Sequence, residues 1–403
     1  MEVFFRRIHL YLSLVAGLVI LVCCLTGAIL VFEKELMMAM HPQRYYVEAE
    51  GKRLSADSLV KKLNEVYPGA RVSGLKLYEA ADRSAEMGVT FPSEKTKQNA
   101  SPAPGKKDVA KPAASQRQPG FTVFMNPYTG AVLEKYSYRE TGFYTVFALH
   151  RWLLGGNDSM GKWIVGVSTL IFLFILLTGI ILWWPKTRKV MQRRLTLKWQ
   201  AGWKRINHDM HLVFGFYSAI FLFIFAFTGL AWSFQWFNNG IYKVTSSPIK
   251  PPSPPMSTYI AGANEIGFDK ALAAAKKIYP SAAYYNVSAA KDSLAAMQVS
   301  CLPHEALHES ATDAVYVDQY SAAVVGTLPY AERSTGAKVR STFKPIHTGS
   351  IWGTPSKIVA FIVCLLGVTF PVTGSIMWYN RTRGSRKKVR GSGITKMEPV
   401  KVS

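Results

Sequence analysis

Four stretches of the chain are almost continuously apolar: residues 10–32, 161–184, 212–236 and 356–379, each at least twenty residues long and nearly free of charge. Each is long enough to cross a hydrocarbon core of about 30 Å as a helix. The pattern therefore predicts four transmembrane helices, within segments 1–32, 161–184, 211–237 and 356–379. Between the first and second, and again between the third and fourth, the periodicity changes. "ADSLVKKLNEVYPGARV" reads as an amphipathic helix running into a strand, and "FDKALAAAKKIYPSAAYYNV" is its counterpart, with Tyr67-Pro68 lying on Tyr279-Pro280. Further on, "FTVFMNPYTGAVLEKY" alternates as two strands about a Tyr-Thr-Gly turn, and "AVYVDQYSAAVVGTL" repeats it with the glycine lost. Residues 33–145 and 238–343 are thus each expected to form a small α+β module. Residues 93–119, rich in Pro, Lys, Ser, Ala and Gln, interrupt the first module and are expected to be a disordered loop, while "PIKPPSPP" reads as a stiff linker leading out of the third span.

Charge orients this plan. Arg6 and Arg7 precede the first span, residues 185–210 form a basic connection and residues 380–403 a basic tail. The positive-inside rule then places both termini and the middle connection in the cytoplasm and both modules outside. The formal charge of +23 is mostly topological on this reading, and it calls for anionic lipid rather than nucleic acid as its counterpart. A signal peptide does not fit the N-terminus, because the apolar run is too long and no small-residue cleavage site follows it. Cys23, Cys24 and Cys364 fall inside spans and only Cys301 outside them, so no disulfide framework is expected.

The chain is an internal duplication, and histidines mark it. His9 and His211 open the first and third spans, and each is followed seventeen residues later by a Thr-Gly step, Thr26-Gly27 and Thr228-Gly229. His150 and His347 precede the second and fourth spans, which carry Thr178-Gly179 and Thr373-Gly374. Both halves run outward and back, so two pseudo-symmetric hairpins related by an axis along the membrane normal are expected. Gly155-Gly156 and Gly353 break the chain before the second and fourth spans, which puts His150 and His347 on short surface segments, residues 146–160 and 344–355.

The helix followed by a hairpin with a Tyr-Thr-Gly turn resembles the PepSY module, and a histidine at each span entry with Thr-Gly near the span's end resembles the PepSY-associated transmembrane family. The resemblance covers nearly the whole chain except residues 93–119 and the basic tail. It implies similarity to bacterial inner-membrane ferric-siderophore reductases that carry b-type haem. Physical chemistry is compatible with that. Ionisable side chains at membrane depth usually face a bundle interior or a bound group, and neutral imidazole is a common axial ligand of haem iron. His9 and His211 would share one haem at the cytoplasmic level, and His150 and His347 a second at the outer level. Two stacked cofactors would make an electron path across the core. Snorkelling of the four histidines to the interface is the bland alternative. Gly27 and Gly229 fall near the outer pair, Gly179 and Gly374 near the inner pair; they would leave room for a flat ring, or serve ordinary close packing of membrane helices. His208 shares a helix face with His211, and either could be the inner ligand. Arg151, Arg205 and Lys344 are candidate partners for haem propionates.

"HEALHE" at residues 304–309 matches a zinc-hydrolase pattern that needs two histidines one turn apart on a helix. His41 reads as an ordinary polar residue. No glycine-rich dinucleotide motif, P-loop or nucleophile elbow is visible. The expected activity is therefore electron transfer from a quinol or a separate reductase to a ferric siderophore or other periplasmic ferric chelate. A membrane-anchored binding module without redox activity, or a metalloprotease at Glu305, are the competing readings.

Overall fold

The computed structural model describes residues 2–91, 120–260 and 262–392, so the expected loop at 93–119 lies outside the described residues. The chain divides into two compact units: Met1–Val31, Val146–Asn238 and Ile346–Ser403 form the first, and Phe32–Thr145 with Asn239–Pro345 the second.

The first unit is built on four long apolar helices: Glu2–Val31, Met160–Trp183, Trp203–Ser233 and Thr354–Ser392. All four are long and apolar enough to cross a membrane. The first and third helices each pack on the second and fourth, which closes a four-membered ring. Inside it lie Ala16, Ile20, Cys24, Leu222 and Val363, with a second cluster around Leu173, Ala226, Leu230 and Phe234. The outward faces carry large exposed apolar side chains, among them Val15, Leu18, Trp163, Ile220 and Ile362. In water such a surface would be costly; a hydrocarbon solvent covers it. The protein is a membrane protein.

The helices run further than the apolar stretches. The first begins at Glu2 and the third at Trp203, so His9 and His211 lie about two turns inside rather than at the mouths. Arg6, Arg7, Lys204 and Arg205 are good helix formers, so the polar boundary does not stop the helix. The third helix ends at Ser233, where Phe234 is extended (φ −125°, ψ 122°), and Trp236 belongs to a separate helix, Gln235–Val244. His150 closes the short helix Gly142–Trp152 and His347 the helix Thr335–His347. As expected, left-handed residues part each from the next span: Gly156 (φ 91°) in one case, Gly349 and Gly353 (φ 73° and 69°) in the other. Leu153 and Leu154 (φ 49° and 68°) share the first break, which glycines alone had suggested.

The second unit joins the two modules in one sheet. Its strands are β1 (Arg71–Tyr78), β2 (Ala85–Thr90), β3 (Phe121–Met125), β4 (Val132–Tyr136), β5 (Tyr284–Ser288), β6 (Met297–Leu302), β7 (Asp313–Val317) and β8 (Val324–Leu328). The order is β4-β3-β2-β1-β5-β6-β7-β8, antiparallel throughout. The seam is β1 against β5, from Gly74 opposite Ser288 to Tyr78 opposite Tyr284. Helices Ala56–Val66 and Phe268–Ile278 supply one face of the core, packing Leu59 and Leu63 on Leu75, Met87 and Met125, and Ala271 and Ala275 on Val287, Val299 and Val315.

The two helices cap each other. The carboxylate of Asp57 accepts the N–H groups of Phe268 (2.6 Å) and Asp269 (3.3 Å), and that of Asp269 accepts those of Ala56 (2.7 Å) and Asp57 (3.2 Å). Orphan amides at both N-termini are thereby satisfied by the opposite module. A side chain at Gly267 would meet this arrangement, since a Cβ there would lie 2.1 Å from the Asp57 carboxylate. In the hairpin turns, Asn126 accepts from Tyr128 and Thr129, and Asp318 from Tyr320 and Ser321; the left-handed position is Gly130 (φ 74°) in one and Ala322 (φ 63°) in the other. Alanine is strained there. Ala322→Gly is expected to stabilise the sheet unit by about 0.5–1 kcal/mol, relief of strain outweighing backbone entropy. Gly267→Ala is expected to cost about 1–2 kcal/mol by displacing a cap. Thermal unfolding of the detergent-purified protein checks both, and a lowered midpoint for Ala322→Gly would refute the strain argument.

Candidate functional site

Each of the four duplicated histidines is held by the Thr-Gly step of a neighbouring span. His9 Nδ1 lies 3.0 Å from Thr178 Oγ1 and 3.1 Å from the Ile175 carbonyl. His150 Nδ1 lies 3.0 Å from both Thr26 Oγ1 and the Cys23 carbonyl. His347 Nδ1 lies 3.2 Å from Thr228 Oγ1 and 2.9 Å from the Phe225 carbonyl, and His211 Nδ1 2.8 Å from Thr373 Oγ1. The relation is reciprocal within each half. His9 of the first span sits on the second, and His150 before the second sits on the first; His211 and His347 do the same with the fourth and third.

The glycine of each step admits the imidazole itself. A Cβ would stand 3.4 Å from His150 Cε1 at Gly27, 3.3 Å from His9 Cε1 at Gly179, 3.1 Å from His347 Cε1 at Gly229 and 3.5 Å from His211 Cε1 at Gly374. Gly27 and Gly229 thus lie beside His150 and His347, and Gly179 and Gly374 beside His9 and His211. Each glycine leaves room for the ring of its histidine.

The hydrogen bonds fix the tautomer. Each threonine hydroxyl donates to a carbonyl four residues earlier: Thr26 to Val22 (2.6 Å), Thr178 to Phe174 (2.9 Å), Thr228 to Ile224 (2.8 Å) and Thr373 to Thr369 (2.9 Å). With its proton so engaged, the hydroxyl accepts from the imidazole, and the carbonyls only accept. His9, His150 and His347, which each also touch a carbonyl, therefore carry Nδ1–H and leave Nε2 free, while His211 meets the Thr373 hydroxyl alone. A ring N–H held by a carbonyl or hydroxyl while the other nitrogen stays open is the arrangement of a metal-ligating histidine. Outside the four spans, burial and then the neighbouring His347 push His150 down to about 4, and burial lowers His347, so both imidazoles are neutral, as ligation requires. The ring centroids of His150 and His347 are 6.1 Å apart. A metal between two imidazole nitrogens, with bonds of about 2 Å each, sets ring centres about 6 Å apart.

His9 and His211 line a cavity of ≈ 690 Å³ within the bundle, in the size range of cofactor pockets, about 300–1,000 Å³. Its walls are mostly apolar, and Gly17, Gly179, Gly215 and Gly374 thin them. Arg6, Lys204 and Arg381 also line it, so it offers cations to an anionic ligand edge. These were not among the candidate anion partners; Arg6 lies three residues before His9, Lys204 seven before His211, and Arg381 just past the end of the fourth span. Arg205 instead pairs with Asp209 (2.8 Å), and Lys344 pairs with Glu309 (3.4 Å) in the sheet unit, so each has a carboxylate of its own. Arg151 donates to the Trp232 carbonyl at 3.4 Å, and the Trp232 ring lies 5.4 Å from that of His347. His208 lines the cavity too, but its Nδ1 faces Asp209 Oδ1 at 3.4 Å and has no threonine cradle; His211 has one.

The remaining histidines are held otherwise. Residues 303–310 form turns rather than a helix, which removes the one-turn spacing a zinc-hydrolase site needs. His304 Nε2 is 2.5 Å from Glu79 Oε2, and His308 accepts at Nδ1 from Ser310 N (3.2 Å) while its Nε2 lies 3.2 Å from the Tyr330 hydroxyl. Among the described residues no group of three His, Cys, Asp or Glu side chains is placed to hold a metal ion. His41 joins the short helices Glu33–Met40 and Pro42–Tyr45.

Four spans with reciprocally cradled histidines and a separate α+β sheet unit define a class of membrane protein. The chain belongs to the family of the PepSY-associated TM region, whose model matches residues 6–381. No curated protein matches it.

His211 has only the Thr373 hydroxyl, whereas His9 has a carbonyl besides Thr178. Thr373→Val is therefore expected to weaken retention of a bound metal group by about 10–100-fold, and Thr178→Val by less, read as metal content of the purified protein. Equal effects would show that the threonines do not orient the rings.

Proposed function

We propose that the protein is a two-haem b-type electron-transfer protein of the bacterial inner membrane that reduces a periplasmic ferric chelate, a ferric siderophore foremost. The observation that supports this reading is the set of four imidazoles whose Nδ1 is engaged by a threonine hydroxyl, and in three of them also by a carbonyl, on a neighbouring span. His9 and His211 would hold one haem and His150 and His347 the other, with His208 beside the inner one. Bound haem supplies one-electron exchange.

The chain's own residues do the rest. Thr26, Thr178, Thr228 and Thr373 hold a proton at each Nδ1 and so keep each Nε2 unprotonated. Apolar walls exclude water, and Arg6, Lys204 and Arg381 would neutralise the inner propionates, with Arg151 serving the outer level. Basic connections favour cytoplasmic termini and a periplasmic sheet unit. The matching order of elements and cradles in the two halves favours a pseudo-two-fold axis along the membrane normal. Electrons would enter from a quinol or a separate reductase. One electron converts the chelated ferric ion to ferrous, which oxygen-rich ligands hold less tightly, and the metal is released.

Oxidised and dithionite-reduced visible spectra of the detergent-purified protein, with haem quantified per chain, test this. Two low-spin b-type haems are expected. His347→Ala should lose one and keep the inner one, His211→Ala the reverse, and His41→Ala and His304→Ala neither. A colourless protein from haem-replete cells would sink the reading in favour of an anchored binding module.

A further inference from the structure

Alternation along the strands gives the sheet a second face, away from its two helices. Leu75, Met87, Val89, Val287, Val299 and Cys301 point into the core. Lys76, Glu86, Gly88, Asn286, Ser288 and Ser300 therefore share the opposite face, and they line a cavity of ≈ 580 Å³ astride the β1–β5 seam. The floor is poor in side chains, because Gly74 is paired with Gly88 on one side and with Ser288 on the other.

One cation in this cavity lacks an oxygen partner. Lys76 Nζ lies 4.1 Å from the ring centroid of Tyr284 and 4.6 Å from that of Tyr78; among the described residues it has no hydrogen bond or ion pair. The two carboxylates of the cavity favour the ammonium from a distance, but the groups they bond are others. Glu86 accepts from the Tyr78 hydroxyl (2.7 Å) and has Arg83 3.9 Å away, and Glu309 pairs with Lys344. Burial holds the Lys76 ammonium below its usual pKa, the mark of a cation short of solvation. An ammonium has three donors to place, and the surrounding hydroxyls and the Asn286 amide can serve further oxygens of the same ligand.

We propose that this seam cavity binds a small, oxygen-rich anion, such as a polycarboxylate or its metal chelate, with Lys76 as the anchoring charge. The site needs residues from both halves of the chain, and it stands whether or not the histidines hold haem.

The full-length protein in detergent is titrated calorimetrically with citrate and, separately, with gallium(III) citrate, whose metal resembles ferric iron without its redox chemistry. Saturable binding of at least one form is expected, weakened at least about tenfold in Lys76→Met and retained in Lys76→Arg. Tighter binding of the gallium form identifies the ligand as a metal chelate; equal binding identifies the free polycarboxylate. Should Lys76→Met fail to fold, acetylation of Lys76 in the wild type, followed by mass spectrometry, should be slowed by the bound form while that of exposed Lys52 is unchanged. Absence of saturable binding, equal binding by a folded Lys76→Met, or unprotected Lys76 overturns the proposal. Haem content plays no part in either readout, so this site and the haem reading fail separately.

Discussion

An imidazole cannot enter a bilayer with its N–H unpaired, and the membrane bundle is arranged around that requirement. Every span offers one hydroxyl whose own proton is already spent on the helix behind it, and next to it a position without a side chain. The hydroxyl sets which ring nitrogen is protonated; the glycine sets how closely the ring can approach. Three of the four rings also reach the carbonyl three residues before the threonine. Because each half exchanges histidines between its two spans, the same contacts that hold the rings hold the helices in register.

Much of this was legible from the residues. The four spans follow from composition, and the histidines and Thr-Gly steps that meet in the structure stand out by their spacing. The role of threonine does not: it depends on which carbonyl takes the hydroxyl proton, and that is settled only once the helix is built. His9 and His211 lie deeper in their helices than hydropathy suggests, because arginine and lysine lower hydropathy without lowering helix propensity. Arg205, a candidate anion partner on sequence, has a carboxylate of its own in Asp209, one helical turn away on the same face.

In the sheet unit, the two modules were visible as patterns and their union was not. β1 and β5 are about two hundred residues apart, and nothing in an alternating strand names its neighbour. The same holds for the exchanged caps of Asp57 and Asp269, which as local sequence are ordinary first-turn acids. The HEALHE segment is a motif with the right letters in the wrong context. It follows Pro303 in a short connection between β6 and β7, and turns suffice to close it.

The seam also bears on what half of this chain would be. Alone, the first module would end in β1 and the second in β5, each a bare strand edge, and each would also lack the acid that caps its helix. Such a half is an incomplete object that seeks a copy of itself, at a stoichiometry set by concentration. Tethering the halves makes the encounter intramolecular, so the complementary edge arrives with every molecule made. What would otherwise be an equilibrium between monomers and dimers is settled when the chain is synthesised.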